Sequence, residues 1–378
     1  MDIGIGLPNT VPGTEGRRLI DWARDAEEAG FSTLGTIGRI VYPNYEELVT
    51  LSAAAAVTSQ IRLTTSVLLA PLYSNTALFA KQAASLDRLS GGRLVLGLGL
   101  GGRDDDFTAS ALPTAGKGRR LDQQLAEMKR IWSGERYGYA GAIGPEPVQR
   151  GGPELILGGT AQATFRRVAL LGDGWIMGGG TPEMFADAAA RVEAAWQEAG
   201  RPGKPRKLSL AYFALGPGAR TQADNYLLNY YGWLGEVSRQ IAAGAAVSTE
   251  MAQGYAAAFA SAGCDELIFV PTTASPDQVR LLADAVLRRP LAGWLRQRAG
   301  HRHRVPEQVS AALVVDDDHV PVGERVAGHE LGLAPVRAGR HLPDHRHPVQ
   351  RSLHVEVLDV GRREVGGGPV VPHRHAPW

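Results

Sequence analysis

Residues 84–102, ASLDRLSGGRLVLGLGLGG, carry the pattern that decides the fold. The segment begins with the end of an amphipathic helix, whose stripe includes Leu78, Leu86 and Leu89, and passes through a Ser-Gly-Gly turn into an apolar run. That run is almost continuously hydrophobic, which is typical of a parallel strand buried on both faces. The segment therefore predicts one helix–strand repeat of an α/β protein.

The same alternation of a short apolar run and a longer helical pattern occurs eight times within residues 1–290. The runs that we predict to be strands span residues 2–7, 33–37, 61–69, 93–100, 154–157, 174–178, 207–215 and 266–270. Residues 225–263 form a longer helical stretch, which we interpret as an insertion before the last strand. Eight such units fit one (β/α)8 TIM barrel, whose usual size is about 250 residues. A doubly wound open sheet shows the same alternation, so the pattern alone leaves both architectures open.

The composition excludes several classes of function. Of the 378 residues, 44% are hydrophobic and 21% are charged, as in an ordinary globular protein. Lys+Arg 40 against Asp+Glu 39 leaves a net charge of +1, too weak a field to attract nucleic acid or an anionic membrane. We find no signal peptide pattern and no membrane span, and expect a cytoplasmic protein. The single cysteine, Cys264, excludes an intrachain disulfide and is expected to be a buried thiol.

The residue types divide the chain into two parts. All ten histidines lie after residue 300, whereas every lysine, phenylalanine and tyrosine lies before it. We therefore predict a barrel over residues 1–290 and an atypical extension over residues 291–378. The extension holds too few large apolar side chains to build a core, so we expect it to be disordered or loosely packed. Its His-Arg-His triplets have no partner carboxylate at a suitable spacing, and we predict no metal site.

Several segments of the first part, in order, resemble the bacterial luciferase-like oxidoreductases, which depend on a flavin or a deazaflavin. The segments are GFSTL at 30–34, AAAAVTSQIRLTTSV at 53–67, AKQAASLDRLSGGR at 80–93, GRRLD at 118–122, IWSG at 131–134 and GDGW at 172–175. The resemblance extends from residue 1 to about residue 289 and favours the barrel over the open sheet. It implies that FMN or its deazaflavin analogue binds at the C-terminal mouth of the barrel.

The resemblance also implies an activity. We expect a monooxygenase that uses reduced FMN and oxygen on a small organic substrate, with the FMN reduced by a separate flavin reductase and the chain forming a homodimer. A deazaflavin-dependent dehydrogenase or reductase on the same barrel is the first alternative. A flavin-binding protein without catalytic activity is the second.

Two glycine-rich turns are candidate phosphate sites. Gly158, Gly159 and Thr160 end one predicted strand and lead into a helix, where backbone N–H groups, a hydroxyl and the helix N-terminus favour an anion. Gly178, Gly179 and Gly180 repeat the design after the next strand. Arg166 and Arg167 follow the first turn and would reinforce it. The alternative is that both are only tight turns between strand and helix; with the resemblance, we favour phosphate binding.

The cofactor ring is assigned to two other strand ends. Gly97 and Gly99 alternate along one strand and leave room for a flat ring, and Ala70-Pro71 closes the third strand. The family often has a cis peptide near that point, and the sequence leaves the isomer of the Ala70-Pro71 bond open. The GLGLGG segment at 97–102 also matches a dinucleotide fingerprint, but the three aspartates at 104–106 stand where the pyrophosphate would lie. We interpret these aspartates as a solvated helical turn or part of a substrate lid.

Arg39 and Tyr42 are the catalytic candidates. They follow the second strand, and in a barrel such loops form the active-site face. Luciferase and several deazaflavin enzymes have a catalytic histidine on this loop, and its absence here argues against light emission. Arg39 would stabilise developing negative charge or bind a substrate carboxylate, and Tyr42 would donate a hydrogen bond. The alternative for Arg39 is an ion pair with a loop carboxylate.

Overall fold

A computed structural model describes residues 1–287, and in them a closed barrel of parallel strands forms the centre of the molecule. Nine strands occur in chain order: β1 (Asp2–Gly6), β2 (Thr33–Thr36), β3 (Arg62–Thr65), β4 (Leu68–Leu69), β5 (Leu94–Gly99), β6 (Glu154–Gly158), β7 (Gly174–Met177), β8 (Arg206–Phe213) and β9 (Glu266–Pro271). They are hydrogen-bonded in the order β3-β2-β1-β9-β8-β7-β6-β5-β4, and β3 also pairs with β5. This last pairing closes the barrel. Because β4 continues β3 after a short break, the barrel has eight strand positions.

Eleven helices accompany these strands in the described residues. They are α1 (Gly16–Ala29), α2 (Glu47–Ala55), α3 (Thr76–Leu89), α4 (Asp104–Ala109), α5 (Lys117–Trp132), α6 (Gln162–Leu171), α7 (Pro182–Glu198), α8 (Ala219–Tyr230), α9 (Glu236–Ala243), α10 (Thr249–Ser261) and α11 (Asp277–Val286). Short 3-10 helices span Ala70–Leu72 and Gly232–Leu234. The insertion predicted before the last strand is confirmed: α8, α9 and α10 all lie between β8 and β9.

Apolar side chains fill both faces of the sheet, which is why the strands show continuous hydrophobic runs. Residues such as Trp22, Phe79 and Leu282 pack between the strands and the outer helices. A second cluster extends to the mouth of the barrel and includes Ile156, Ile176, Leu208, Ile268, Tyr212 and Tyr230. The (β/α)8 barrel is thus the architecture, and the open sheet is excluded.

The third predicted strand differs from the expected single run. A cis peptide bond joins Ser66 to Val67 and separates β3 from β4. The Ala70-Pro71 bond is not cis; Ala70 and Pro71 lie in a buried 3-10 helix, where the Gln124 amide donates to the Ala70 carbonyl. The cis bond of this segment therefore lies at a non-proline position that the sequence did not indicate.

The helices and the titratable side chains bear on membrane spanning and on metal binding. Within residues 1–287, no helix combines the length and apolar character needed to cross a membrane. Nor do three or more His, Cys, Asp or Glu side chains in that range approach one another closely enough to hold a metal ion. Cys264 is buried as predicted, and burial raises the pKa of its thiol to about 12. The predicted extension at 291–378 lies outside the described residues.

Candidate active site

A cavity of about 220 Å³ opens at the C-terminal ends of the strands. The residues lining it come from the strand ends, from the loops after β2 and β5, and from the insertion: Ile37, Gly38, Arg39, Ser66, Val67, Leu69, Gly99, Leu100, Gly101, Gly102, Arg103, Asp106, Gly158, Gly159, Thr160, Thr164, Ile176, Met177, Gly178, Gly179, Leu210, Tyr212, Tyr230, Tyr231 and Trp233. Its place at this face is where barrels of this type bind their ligands. The cavity has two unlike sides.

One side, which we call the glycine side, is formed by the ends of β5, β6 and β7. The residues that line it include Gly99, Gly158, Gly159, Gly178 and Gly179, and their predicted contact with a cofactor stays a prediction. A Cβ added at Gly178 or Gly179 would meet no atom within 4 Å, so the backbone there faces open space. A flat or anionic group can therefore approach the main chain closely on this side.

Gly97 has a different role from Gly99. It is not among the cavity residues, and a Cβ at Gly97 would overlap the carbonyl oxygen of Thr65 on the neighbouring strand. At Gly99 a Cβ would lie 2.6 Å from the Val67 side chain, which itself lines the cavity. Gly97 is thus required by packing between β3 and β5. Ala70 and Pro71 also lie off the cavity, whereas Val67 and Leu69 contact it.

The two glycine turns differ in their capacity for an anion. Helix α6 begins after Thr160 without a side-chain cap, and the buried Thr160 hydroxyl has no hydrogen-bond partner among residues 1–287. Helix α7 is capped by its own Thr181, whose Oγ1 accepts from the Met184 N–H at 3.3 Å, and begins with Pro182, which has no N–H. Gly180 does not line the cavity. An anion therefore finds free donors at the start of α6 and fewer at α7.

Arg166 and Arg167 do not reach this turn. Arg166 is exposed on α6 and is not among the cavity residues. Arg167 is buried, and its Nε donates to Asp122 Oδ1 at 2.6 Å, which ties α6 to α5. The reinforcement of the phosphate site by these two arginines is therefore not supported.

Arg39 lines the opposite side of the cavity, and its charge is held firmly. Its Nη1 donates to the Tyr230 carbonyl at 2.8 Å and its Nη2 to the Val41 carbonyl at 3.1 Å. The guanidinium lies over the rings of both Tyr42 and Tyr230, 5.0 and 5.1 Å from their centroids. Arg39 Nη2 is 3.9 Å from Oδ2 of Asp105 in α4, so the two side chains form an ion pair without a hydrogen bond. Burial and the neighbouring Arg103 lower the pKa of Arg39, which nonetheless stays charged as an arginine.

Tyr42 lies behind Arg39 and outside the cavity lining. Its hydroxyl donates to Asn229 Oδ1 at 2.7 Å, and its ring meets Tyr230 edge to face at 4.9 Å. Burial raises the pKa of this hydroxyl, which therefore stays protonated. In this arrangement Tyr42 supports Arg39 and the start of the insertion.

Asp106 is a site residue that the sequence reasoning missed. The three aspartates form the first turn of α4, but Asp106 is only 1% exposed, so the expected solvated turn is wrong for this residue. Asp106 Oδ1 accepts from the N–H groups of Ile40 and Val41 at 3.0 and 2.7 Å. The carboxylate thus fixes the loop that carries Arg39. The Asp105 carboxylate pairs with Arg103, and Asp104 is exposed.

Tyrosines of β8 and of the insertion complete this second side. The hydroxyls of Tyr212 and Tyr231 are 2.6 Å apart, and the Tyr226 hydroxyl is 2.6 Å from Thr10 Oγ1. Burial raises the pKa of Tyr212, Tyr226 and Tyr230 well above the usual value of a phenol. These side chains are therefore neutral hydrogen-bonding groups at any working pH.

A buried carboxyl group lies next to this side. Glu47, the first residue of α2, packs directly against Gly38 and is 6% exposed. Burial raises its pKa to about 8, and the nearby carboxylates of Glu46 and Asp106 act in the same direction. Glu47 is consequently protonated at neutral pH.

The barrel and its cavity define a (β/α)8 protein with a ligand site at the C-terminal face. The chain belongs to the luciferase-like monooxygenase family, whose model matches residues 1–304. An uncharacterized protein of Mycobacterium tuberculosis is 31% identical over 210 residues, covering 48% of this chain and 72% of that protein. The resemblance inferred from the sequence is confirmed, and with it an oxidoreductase.

Two relatives with named activities match parts of the chain. An FMNH2-dependent dimethylsulfone monooxygenase of Pseudomonas putida is 28% identical over 152 residues, covering 37% of this chain and 41% of that protein. A 5,10-methylenetetrahydromethanopterin reductase of Methanolobus tindarius is 25% identical over 209 residues, covering 54% of this chain and 62% of the reductase.

Solved structures agree on the fold. Monooxygenase RslO1 from Streptomyces bottropensis superposes with a TM-score of 0.62 at 21% identity, over 76% of this chain and 99% of that one. An F420-dependent secondary alcohol dehydrogenase has a TM-score of 0.62 at 14% identity, over 75% of this chain and 98% of the dehydrogenase.

Proposed function

We propose that this protein is a monooxygenase that uses reduced FMN and oxygen to oxidise a small organic substrate. The observation that carries the proposal is the glycine side of the cavity, which ends at the uncapped N-terminus of α6. A reduced flavin held there supplies the electrons and the reaction with oxygen; the protein binds, orients and shields it.

The phosphate of FMN fits the start of α6. Thr160 offers a buried hydroxyl without a partner among the described residues, and Gly159 and Gly158 bring the backbone close to the same point. The first N–H groups of a helix without a side-chain cap are free to bind an anion, and the helix dipole favours negative charge. These groups would hold the phosphate without a basic side chain.

The flat ring fits between Val67, Gly99 and the open backbone at Gly178. Arg39 then lies across the cavity from the phosphate end, where a fixed positive charge can stabilise negative charge that develops during the reaction. The aromatic side chains of Tyr231 and Trp233 also line the cavity and would shield the reacting groups from water.

FMN is favoured by the 28% identity with the FMNH2-dependent monooxygenase. A deazaflavin coenzyme is the second candidate, since the F420-dependent secondary alcohol dehydrogenase has the same fold. In the FMN case a separate flavin reductase supplies the reduced cofactor, and a homodimer is the expected assembly.

The test is a cofactor titration of the full chain with FMN, with reduced FMN under anaerobic conditions, and with the deazaflavin coenzyme, followed by absorbance and fluorescence. We expect FMN to bind and the deazaflavin to bind at least about ten times more weakly, a difference of roughly 1.4 kcal/mol. The reverse order would make the protein a deazaflavin enzyme, and binding of neither would refute both assignments. FMN binding without turnover on any substrate would leave a flavin-binding protein.

Gly178 provides a variant that probes the cofactor position. Its backbone conformation is accessible to any residue and a side chain there meets no atom, so Gly178→Asp is compatible with the fold. A carboxylate beside a dianionic ligand in a half-enclosed site weakens binding by electrostatic repulsion, and we expect at least about a tenfold loss of FMN affinity. Gly178→Asn has the same shape without the charge and is the matched control. Because Gly178 borders the proposed position of the ring, Asp and Asn variants that both bind FMN as tightly as the unaltered protein would mean that the cofactor lies elsewhere.

A further inference from the structure

The side of the cavity opposite the glycines is aromatic and largely satisfied in its hydrogen bonds. Tyr212 and Tyr231 bond each other through their hydroxyls, and their rings meet edge to face at 5.9 Å. Tyr230 and Trp233 extend this wall, and Leu210 adds an aliphatic surface to it. A wall of ring faces and edges favours a flat, aromatic ligand over a polar, flexible one.

Two buried polar atoms on this side have no hydrogen-bond partner in the part of the chain that the structure describes. One is the Nε–H donor of Arg39, in a side chain that is 6% exposed, and the other is the Oδ2 acceptor of Asp106. Arg103 Nε is 3.8 Å from Asp106 Oδ2, which is too far for a hydrogen bond. Both Arg39 and Asp106 line the cavity.

The backbone holds these two side chains in the same part of the cavity. Asp106 Oδ1 accepts from Ile40 and Val41, the two residues that follow Arg39 in the chain. The same loop is fixed by the bond from Arg39 to the Tyr230 carbonyl. The side chains that carry the unsatisfied donor and the unsatisfied acceptor therefore belong to one corner of the cavity lining, and leaving such groups unpaired is costly.

We infer that this corner binds a hydroxyl group on an aromatic ring, so that the substrate of the proposed monooxygenase is a phenol. That the phenol is a substrate rests on the proposed function; that this corner binds a phenol does not. A hydroxyl donates its proton to Asp106 Oδ2 and accepts from Arg39 Nε, which satisfies both atoms at once. An ether, a carbonyl or a carboxylate satisfies only the arginine, and an ammonium group only the aspartate.

The inference is tested first on the unaltered full chain by calorimetric titration with three matched ligands. The ligands are 2-naphthol, 2-methoxynaphthalene and naphthalene. We expect 2-naphthol to bind at least about ten times more tightly than either of the others, since leaving a buried polar atom of a charged group without a hydrogen-bond partner costs about that much affinity. Naphthalene is smaller than 2-naphthol and is therefore not excluded by its size. Weak binding of naphthalene thus reports the lost hydrogen bonds, whereas weak binding of the methyl ether alone would also fit steric exclusion. Equal affinity for all three ligands would overturn the inference.

Asp106→Asn tests the assigned partner. The new side chain can still accept from Ile40 and Val41 through its oxygen, but it presents an N–H donor in place of Oδ2. The preference for 2-naphthol over 2-methoxynaphthalene should fall to about threefold or less. Asp104→Asn is the control on the same helix, because Asp104 is exposed and does not line the cavity, and it should keep the full preference. An unchanged preference in the Asp106 variant would refute the role of this residue.

The cofactor titration is run on the same protein samples, so the two proposals fail separately. If FMN binds and the naphthol and its ether bind equally well, the monooxygenase proposal stands and the phenol proposal is refuted. Naphthol preference without any flavin or deazaflavin binding leaves the phenol site and removes the oxidoreductase assignment for it.

Discussion

Glu47 makes a prediction about pH and stability that follows from its burial beside Gly38. The folded protein holds a proton on this carboxyl up to about pH 8, whereas in the unfolded chain the group loses it near its usual pKa of 4.5. Between these values folding takes up a proton, so raising the pH favours the unfolded chain. At roughly 1.4 kcal/mol for each pKa unit, Glu47 lowers the free energy of unfolding by up to about 5 kcal/mol from pH 4.5 to pH 8.

The variant Glu47→Gln removes the ionisation and keeps the shape of the side chain. Its free energy of unfolding, measured by urea denaturation at half-unit pH steps, is subtracted from that of the unaltered protein so that other titrating groups cancel. We expect the Glu47→Gln variant to gain stability relative to the unaltered protein progressively as the pH rises from 4.5 to about 8, with no further change above that. Glu15→Gln, at an exposed position before α1, should give a flat difference. A difference for Glu47→Gln that varies by less than about 1 kcal/mol over this range would refute the reasoning.

Three further substitutions probe other parts of the molecule. Arg39→Met should reduce turnover by roughly 10- to 1000-fold while cofactor affinity changes much less, as measured by steady-state rates and FMN titration; equal losses would mean that Arg39 only holds the cofactor. Asp87→Ala should lower the free energy of unfolding by about 3 kcal/mol or more in urea denaturation, because this fully buried carboxylate accepts from both Val148 N–H and Gln149 N–H. A smaller loss would show that water replaces the carboxylate. Gly254→Ala, in the interior of α10 with open space around it, should raise stability by about 0.5–1 kcal/mol, and a lower melting temperature would contradict this.

The strands and most helix ends could be predicted because their signals are local. Continuous apolar runs placed all eight barrel strands within a few residues of their observed bounds. Gly30 ends α1 in a left-handed conformation with φ 90°, and Thr181 caps α7; Gly and Thr are common residue types at these two positions. The break between β3 and β4 has no such signal, since the β-branched residues Thr64 and Thr65 before Ser66 and Val67 after it are all typical of a continuing strand.

Buried carboxylates could not be found in this way. Asp106 and Glu47 look like residues of solvated helix starts, because charged side chains at a first helical turn are usually exposed. What buries them is contact with one loop, residues 38–41, in which Val41 is separated from Asp106 by 65 positions along the chain. A pattern of charge within one helix turn cannot predict contacts between residues so far apart in the sequence.

The aromatic side of the cavity has a signal that the sequence interpretation leaves unused. Tyr226 and Tyr230 are four residues apart on α8 and stack at 5.6 Å, so helical spacing alone predicts that they share a face. In a barrel, the loops that precede the strands lie at one end and the loops that follow the strands lie at the other. The loops that follow the strands build the ligand site. The segment between β8 and β9 therefore had to reach the same mouth as Arg39. Its tyrosines meet the Arg39 loop there because β8 and β2, the strands that these two segments follow, are separated only by β1 and β9.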